Sequence, residues 1–260
     1  MTSTLLELES VGKFFDNVEV FSGFSIRIDT PGVVAIIGPS GSGKTTLLRI
    51  IAGLLAPTSG HVRFHGQTIV GPDPERVLIF QQYALFPWAT ARENLEFGLR
   101  LSHNRKKAAF EDIRKMANSL LDGVGLSEFG EYYSKNLSGG MQQRIALARA
   151  LALSPDLLLM DEPFGALDSV TRLTMHGLLR KELASGGRTA ILVTHDVDDA
   201  IALAHTIYVL SPRPATIVKQ FQLDRNDDRN TQRGLSTPAI KAEVLRTLME
   251  GSAQGSSKQR

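Results

Sequence analysis

A chain of 260 residues can bury a sizeable core in one large domain or two small ones. A formal charge of +2 is too small to point to nucleic acid as the main partner, and 42% hydrophobic with 22% charged residues is ordinary for a soluble globular protein. The absence of cysteine excludes disulfides and thiolate metal sites and fits a reducing compartment.

The opening stretch, Met1 to Glu7, has no basic patch ahead of an apolar core, so no secretory signal is expected. No apolar run approaches the roughly 20 residues that span a bilayer. If the protein works at a membrane, another chain must hold it there.

Leu6, Leu8 and Val11 alternate with Glu7 and Glu9, Ser25 to Asp29 alternates too, and Val62 and Phe64 stand against Arg63 and His65. Period-two alternation predicts half-buried antiparallel strands, a small β-layer around residues 38–45. Val33 to Ile37, Leu157 to Met160 and Ala190 to Val193 are instead continuous apolar runs, which suit central parallel strands covered on both faces. Each is followed by a loop and a helical pattern, as in a βαβ series. Helices are expected from roughly Lys106 to Val124, and after Ser138 with Met141, Ile145, Ala148 and Ala152 on one face. Beyond Leu223 the chain turns polar, then offers a short amphipathic helix through Ile240, Val244, Leu245 and Leu248; Gly251 to Arg260 reads as disordered.

Gly38-Pro39-Ser40-Gly41-Ser42-Gly43-Lys44-Thr45 fits the phosphate-loop pattern G-x-x-x-x-G-K-[ST] between an apolar strand and a helix. The glycines let bare backbone N–H groups wrap phosphate oxygens, and the helix from about Gly43 to Ala52 points its positive end at the same charge. Lys44 can reach the β- and γ-phosphates, and the Thr45 hydroxyl can ligate Mg²⁺. Asp161 closes an apolar strand, where a carboxylate can hold Mg²⁺. Neighbours on an extended chain point to opposite sides, which would aim Glu162 elsewhere, as the general base that polarises the attacking water.

Leu137-Ser138-Gly139-Gly140-Met141-Gln142 precedes a strong helix and makes a second anion-binding helix N-terminus. A second γ-phosphate reader in one chain is redundant unless it serves a different molecule; a plain Ser cap with a glycine turn is the alternative. His195, at the end of an apolar strand, can contact the γ-phosphate or the water, or serve as a hydrogen-bonded structural histidine. Gln81, after Val77 to Phe80, can offer its amide oxygen to Mg²⁺ or to the water, or simply lie on the surface. The other histidines show no metal-ligand pattern.

In this order, these residues resemble the nucleotide-binding subunits of ATP-binding cassette transporters, over about residues 5–222. Leu137 to Arg144 is similar to that family's signature motif. The resemblance implies an α/β fold: a P-loop NTPase with a mostly parallel central sheet, an N-terminal antiparallel β-layer and an inserted helical subdomain. The ATP-binding domain would span 1–222, with the helical subdomain at about 88–155 and a tail at 223–260. It also implies two copies that sandwich two ATP molecules head to tail, the P-loop of one facing the Ser138 segment of the other, which answers the redundancy. The nucleotide would be held by Gly38, Pro39, Ser40, Gly41, Ser42, Gly43, Lys44, Thr45 and Thr46, with Ser138, Gly139, Gly140 and Asp168 facing the opposite site. Gln81 matches the Q-loop, Asp161 and Glu162 the Walker B pair, and His195 the switch histidine. Phe15 falls where the family stacks an aromatic on adenine, with Phe14 adjacent; core packing is the alternative for either. Catalysis would then rest on Glu162, His195, Gln81 and Lys44, and Mg²⁺ on Thr45, Gln81 and Asp161.

Phe80 to Trp88 and Asp161 to Asp168 look like importer ATPases, and Leu210 to Pro214 is similar to the nitrate/sulfonate/taurine group. That likeness implies ATP and Mg²⁺ as cofactors, two membrane permease subunits as partners, indirectly a solute-binding protein, no nucleic acid, and a peripheral place on the cytoplasmic face of the membrane. In the family, the stretch corresponding to Tyr83 to Asn94 helps form the groove for a permease helix, where Phe86 and Trp88, if exposed, would be apolar anchors; burial in the domain core is the alternative. A non-transport cassette ATPase acting on ribosomes or chromosomes is the rival reading. A soluble nucleotide kinase would leave Ser138, Asp168 and His195 idle.

Overall fold

Strand and helix follow the two hydrophobic periodicities in the computed structural model, which describes residues 4–80, 83–102, 109–223 and 237–257. Two compact units emerge, one from Met1–Asp73 with Thr189–Arg260, the other from Pro74–Arg188.

In the first unit, the alternating segments form β1 (Leu6–Phe15), β2 (Val18–Ile28), β4 (Ser59–Phe64) and β5 (Gln67–Thr68), antiparallel in the order β2-β1-β4-β5. Leu8 lies opposite both Ile26 and Val62, so one face is apolar and buried across three strands. On neighbouring positions Glu7 and Glu9 meet Arg63 at 3.4 and 2.7 Å. The continuous apolar run becomes β3 (Gly32–Ile37), parallel to β8 (Thr189–Thr194) on one side and β9 (Thr206–Leu210) on the other; β10 (Ile217–Gln222) runs antiparallel at the edge. All six residues of β8 are buried, as a strand covered on both faces must be. His205 donates its N–H to the Val33 carbonyl (2.7 Å), and its Nδ1 accepts the Val33 N–H (3.0 Å), a structural task at the start of β3.

Helix α1 (Lys44–Ile51) follows β3, and α6 (Val197–Leu203) follows β8. The Asp196 carboxylate caps α6 through Asp198 N–H (2.8 Å) and Asp199 N–H (3.4 Å). The C-terminal helix α7 (Thr237–Ser257) is 21 residues long. It contains the expected apolar positions, with Ile240 and Val244 fully buried, but runs on into the stretch whose Gly/Ser content reads as disordered.

In the second unit β6 (Arg76–Ile79) pairs in parallel with β7 (Leu157–Asp161), Ile79 beside Met160. Among the described residues the α-helices α2 (Ala91–Leu101), α3 (Phe110–Gly123), α4 (Gly139–Ala152) and α5 (Ser169–Gly186) accompany them. Thr90 and Glu93 form a reciprocal capping box on α2. The helix expected from Lys106 is described from Phe110; Lys106 itself lies outside the described residues.

Candidate functional site

The register of the first unit sets the phosphate loop beside the histidine. Ile37 pairs with Thr194, so Gly38 and His195 leave neighbouring parallel strands at the same, carboxyl end, where open α/β sheets collect ligands. Gly38 is packed against Leu210: a Cβ there would lie 3.0 Å from the Leu210 Cβ. Gly43 stands at the N-terminus of α1 with φ 92°, and a Cβ would fall 2.4 Å from Val20 Cγ1. Only glycine fits that turn, and it brings no side chain to cap the helix. The first N–H groups of α1 therefore face the loop without a side-chain acceptor, the arrangement that binds anions.

Lys44 is buried, and its ammonium donates to the carbonyls of Gly38 (2.7 Å) and Pro39 (2.9 Å). It staples the loop from within and holds positive charge at its centre. Ser42 Oγ is buried with no protein partner, so a polar atom waits inside the cradle. Ser40, Gly41 and Thr45 are exposed and Thr46 half-buried. A phosphate chain fits this cradle on all three counts. His195 is exposed at the strand end.

Phe14 and Phe15 both lie at the exposed tip of the β1–β2 hairpin rather than in the core. Phe15 is the more open of the two, with the Lys13 ammonium 5.0 Å from its ring centre, while the Phe14 N–H is tied to Thr58 Oγ1 at 3.1 Å.

In the second unit the Ser138 segment and the acidic pair are drawn together. Ser138 caps α4, its hydroxyl accepting the Met141 N–H at 3.3 Å, so Gly139 and Gly140 form the helix's first turn. Asp161 ends β7 and is buried. Glu162 does not continue the strand: its φ is 52°. The expectation that it diverges from Asp161 by strand alternation is corrected, because its backbone is left-handed, a state that costs a non-glycine residue about 1–2 kcal/mol. The strain is held in a tight loop, where the Glu162 carbonyl accepts from Gln143 Nε2 (3.3 Å) and from Gly165 N–H (3.4 Å). Asp168 caps α5 through Val170 N–H (3.1 Å) and Thr171 N–H (3.0 Å), and the Thr171 hydroxyl donates to it at 2.6 Å. The hydroxyl bond first, then the backbone bond, hold its carboxyl below the ordinary 3.8.

Gln81 lies outside the described residues. For a divalent cation, the Thr45 hydroxyl and the Asp161 carboxylate are hard oxygen donors of the kind Mg²⁺ takes. Gln143 carries no assignment from the sequence beyond its place in the quoted signature stretch; the signal is a polar side chain on a helix otherwise buried through Ile145, Ala146, Leu147 and Ala148.

A mainly apolar groove of about 220 Å³ opens in this unit, lined among others by Tyr83, Phe86, Phe97, Ala150 and Leu153. Phe86 stacks edge-on against Phe97, with ring centres 4.8 Å apart, and is half-buried. Trp88 next to it is 73% exposed. Arg149 crosses the floor, donating to the Ala84 carbonyl (2.7 Å) and Asn94 Oδ1 (3.3 Å) with its guanidinium 5.4 Å from the Phe86 ring centre. Burial lowers the pKa of that guanidinium from its ordinary value.

A family model described as ABC transporter matches residues 21–165. The chain is 43% identical over 242 residues to the nitrate import ATP-binding protein NrtD of Synechocystis sp., covering 92% of this chain and 89% of that protein. It is 47% identical over 208 residues to the taurine import ATP-binding protein TauB of Roseobacter denitrificans, covering 80% and 76%. Among solved structures, the dimeric post-hydrolysis state of the ATP-binding cassette MJ0796, bound to ADP and Pi, superposes with a TM-score of 0.73 at 33% identity, over 83% of this chain and 99% of that one.

Proposed function

The chain belongs to the ABC transporter family, and we propose that it is the ATP-hydrolysing subunit that powers uptake of a small anion of the nitrate/sulfonate/taurine class. Two observations of different kinds support the reading. The nitrate and taurine import ATP-binding proteins share 43% and 47% of aligned residues with it. And one chain carries two helix N-termini of the kind that suits a phosphate, glycine-opened α1 behind the loop and serine-capped α4; this pairing carries the proposal.

In the assembly proposed, two copies lie head to tail, and the loop of one shares an ATP with the Ser138–Gly140 turn of the other. Backbone N–H groups of the loop and Lys44 bind the phosphates, while Asp168 faces the opposite site. Phe15 stacks on adenine. Thr45, Asp161 and Gln81 would hold Mg²⁺, which would supply positive charge to offset the negative charge that develops in the reaction. Water attacks the γ-phosphorus as Glu162 accepts its proton and the bond to the ADP oxygen breaks; His195 stands at the γ-phosphate, and the partner's α4 N-terminus stabilises the negative charge on the phosphoryl oxygens.

Closure of the dimer would be passed to two permease subunits through the Phe86/Trp88 groove, where an exposed Trp beside an apolar trough is the kind of anchor that dominates interface energy. Among the described residues no helix is long and apolar enough to cross a membrane. Attachment at the cytoplasmic face would then come through the permease. Choice of anion would fall to the permease and a solute-binding protein.

Replacing Glu162 by Gln tests the site. Loss of a general base typically costs about 10²–10⁴-fold in rate, roughly 3–5 kcal/mol of barrier. Glu162→Gln is expected to bind ATP normally, turn over within that reduced range, and accumulate as a nucleotide-bound dimer. Turnover near the wild-type rate would remove Glu162 as the base.

A further inference from the structure

We propose that Gln143 is a positioning residue for hydrolysis: through both ends of its side-chain amide it fixes the backbone that aims Glu162. The inference rests on Glu162 acting as the base.

Gln143 sits one turn into α4, three residues beyond Gly140 and so on the same face. Its Nε2 donates to the Glu162 carbonyl at 3.3 Å, and its Oε1 accepts the Ala166 N–H at 3.1 Å. The amide thus spans the loop from its first residue to its fifth. Gly140 completes the clasp: a Cβ there would lie 3.1 Å from the Ala166 carbonyl oxygen, so the helix start is pressed against the same residue.

The residue is 5% exposed, and from Ile145 to Ala148 the helix beyond it is apolar and buried. An apolar side chain of equal volume would fill this space without the cost of desolvating an amide. What the amide adds is two directed bonds to one loop. That loop needs them, because Glu162 holds a left-handed backbone (φ 52°) that relaxes unless its surroundings over-determine it. A relaxed Glu162 would swing its carboxylate by more than hydrogen-bond tolerance allows, and misplacement of about 1 Å can cost on the order of 10²-fold in rate.

The test uses the full-length chain in a single-turnover assay that reads residual hydrolysis, together with steady-state kcat and KM. Gln143→Met keeps length and volume and removes both bonds. Gln143→Glu keeps the acceptor for Ala166 but sets an oxygen against the Glu162 carbonyl, and it stands in if the Met variant does not fold. Each is expected to lower kcat at least about 10-fold with KM within about twofold, and to add little further loss in a Glu162→Gln background. Three results would overturn the proposal: wild-type kcat in both variants, a raised KM with kcat unchanged, or a loss that multiplies fully onto that of Glu162→Gln. The Glu162→Gln single variant judges the base assignment separately. If it turns over normally, the base reading fails; if it is impaired while the Gln143 loss is multiplicative, only the positioning role fails.

Discussion

Asp168 shows how a single carboxylate holds the start of a helix. It accepts three hydrogen bonds at the N-terminus of α5, two from backbone N–H groups and one from the Thr171 hydroxyl. These bonds favour the charged form and hold its pKa below 3.8 in the folded chain. A pKa lower in the folded than in the unfolded state gives stability that is whole above the unfolded value and is lost as pH falls through the folded one. Asp168→Asn is therefore expected to melt below the wild type at neutral pH, with the gap closing below about pH 4 as the wild-type carboxyl protonates. Melting curves across that range check it; a gap that stays constant with pH would mean the charge contributes nothing.

At this scale the glycines and Lys44 of the phosphate loop are legible in sequence, because a loop that must bare its N–H groups and bend at φ 92° leaves little choice of residue. The backbone of Glu162 is not. Strand propensity carries through Asp161, and the reversal at the next residue is imposed by tertiary bonds from Gln143, 19 positions earlier in the chain. The same holds for Gln143 itself, whose role exists only once α4 lies against the loop.

Among the elements, the parallel strands are the most readable, since short apolar runs such as Leu157 to Met160, which could also be buried helix, are bounded by Pro and Asp and so favour a strand covered on both faces. The edge strand β10 is less so: its alternating half-exposed residues find their partner only through the register with β9. Helix α7 is readable through Leu248 by its apolar spacing, and unreadable beyond, where Gly and Ser have weak helix preference. It packs against α6, β9 and β10 within the first unit. Ile240 and Val244 are fully buried, Lys219 pairs with Glu243, and the Lys241 ammonium reaches Asp198 of α6 at 2.6 Å. Exposed ion pairs of this kind contribute about 0–1 kcal/mol, so the apolar face decides the docking. Ile240→Ala is expected to cost about 2–5 kcal/mol in denaturant unfolding or to free α7 for limited proteolysis. A variant as stable and as resistant as wild type would mean α7 is held elsewhere.

For the whole molecule, the proposed function assigns the serine-capped turn of α4 and the glycine-opened start of α1 to one kind of anionic ligand. The head-to-tail dimer proposed above would use both, and two-fold symmetry would make the pairing of each loop with the other chain's Ser138 turn reciprocal. Gln143 would give that dimer a further property: one side chain on α4 ties the helix that would face the partner's nucleotide to the loop that would carry the chain's own base. Sequence motifs name the parts of such an arrangement, but their pairing between chains becomes visible only in the redundancy of two phosphate readers.

Complementation between two inactive variants decides whether the pocket is shared. Lys44→Ala removes the phosphate-binding ammonium, and Ser138→Arg blocks the turn of α4; each is expected to be inactive alone. Mixed in equal amounts with ATP and Mg²⁺, they should regain hydrolysis at about a quarter of the wild-type rate, since about half the dimers are hybrids and each hybrid holds one intact pocket. A mixture as silent as its two components would mean that each chain completes its own site.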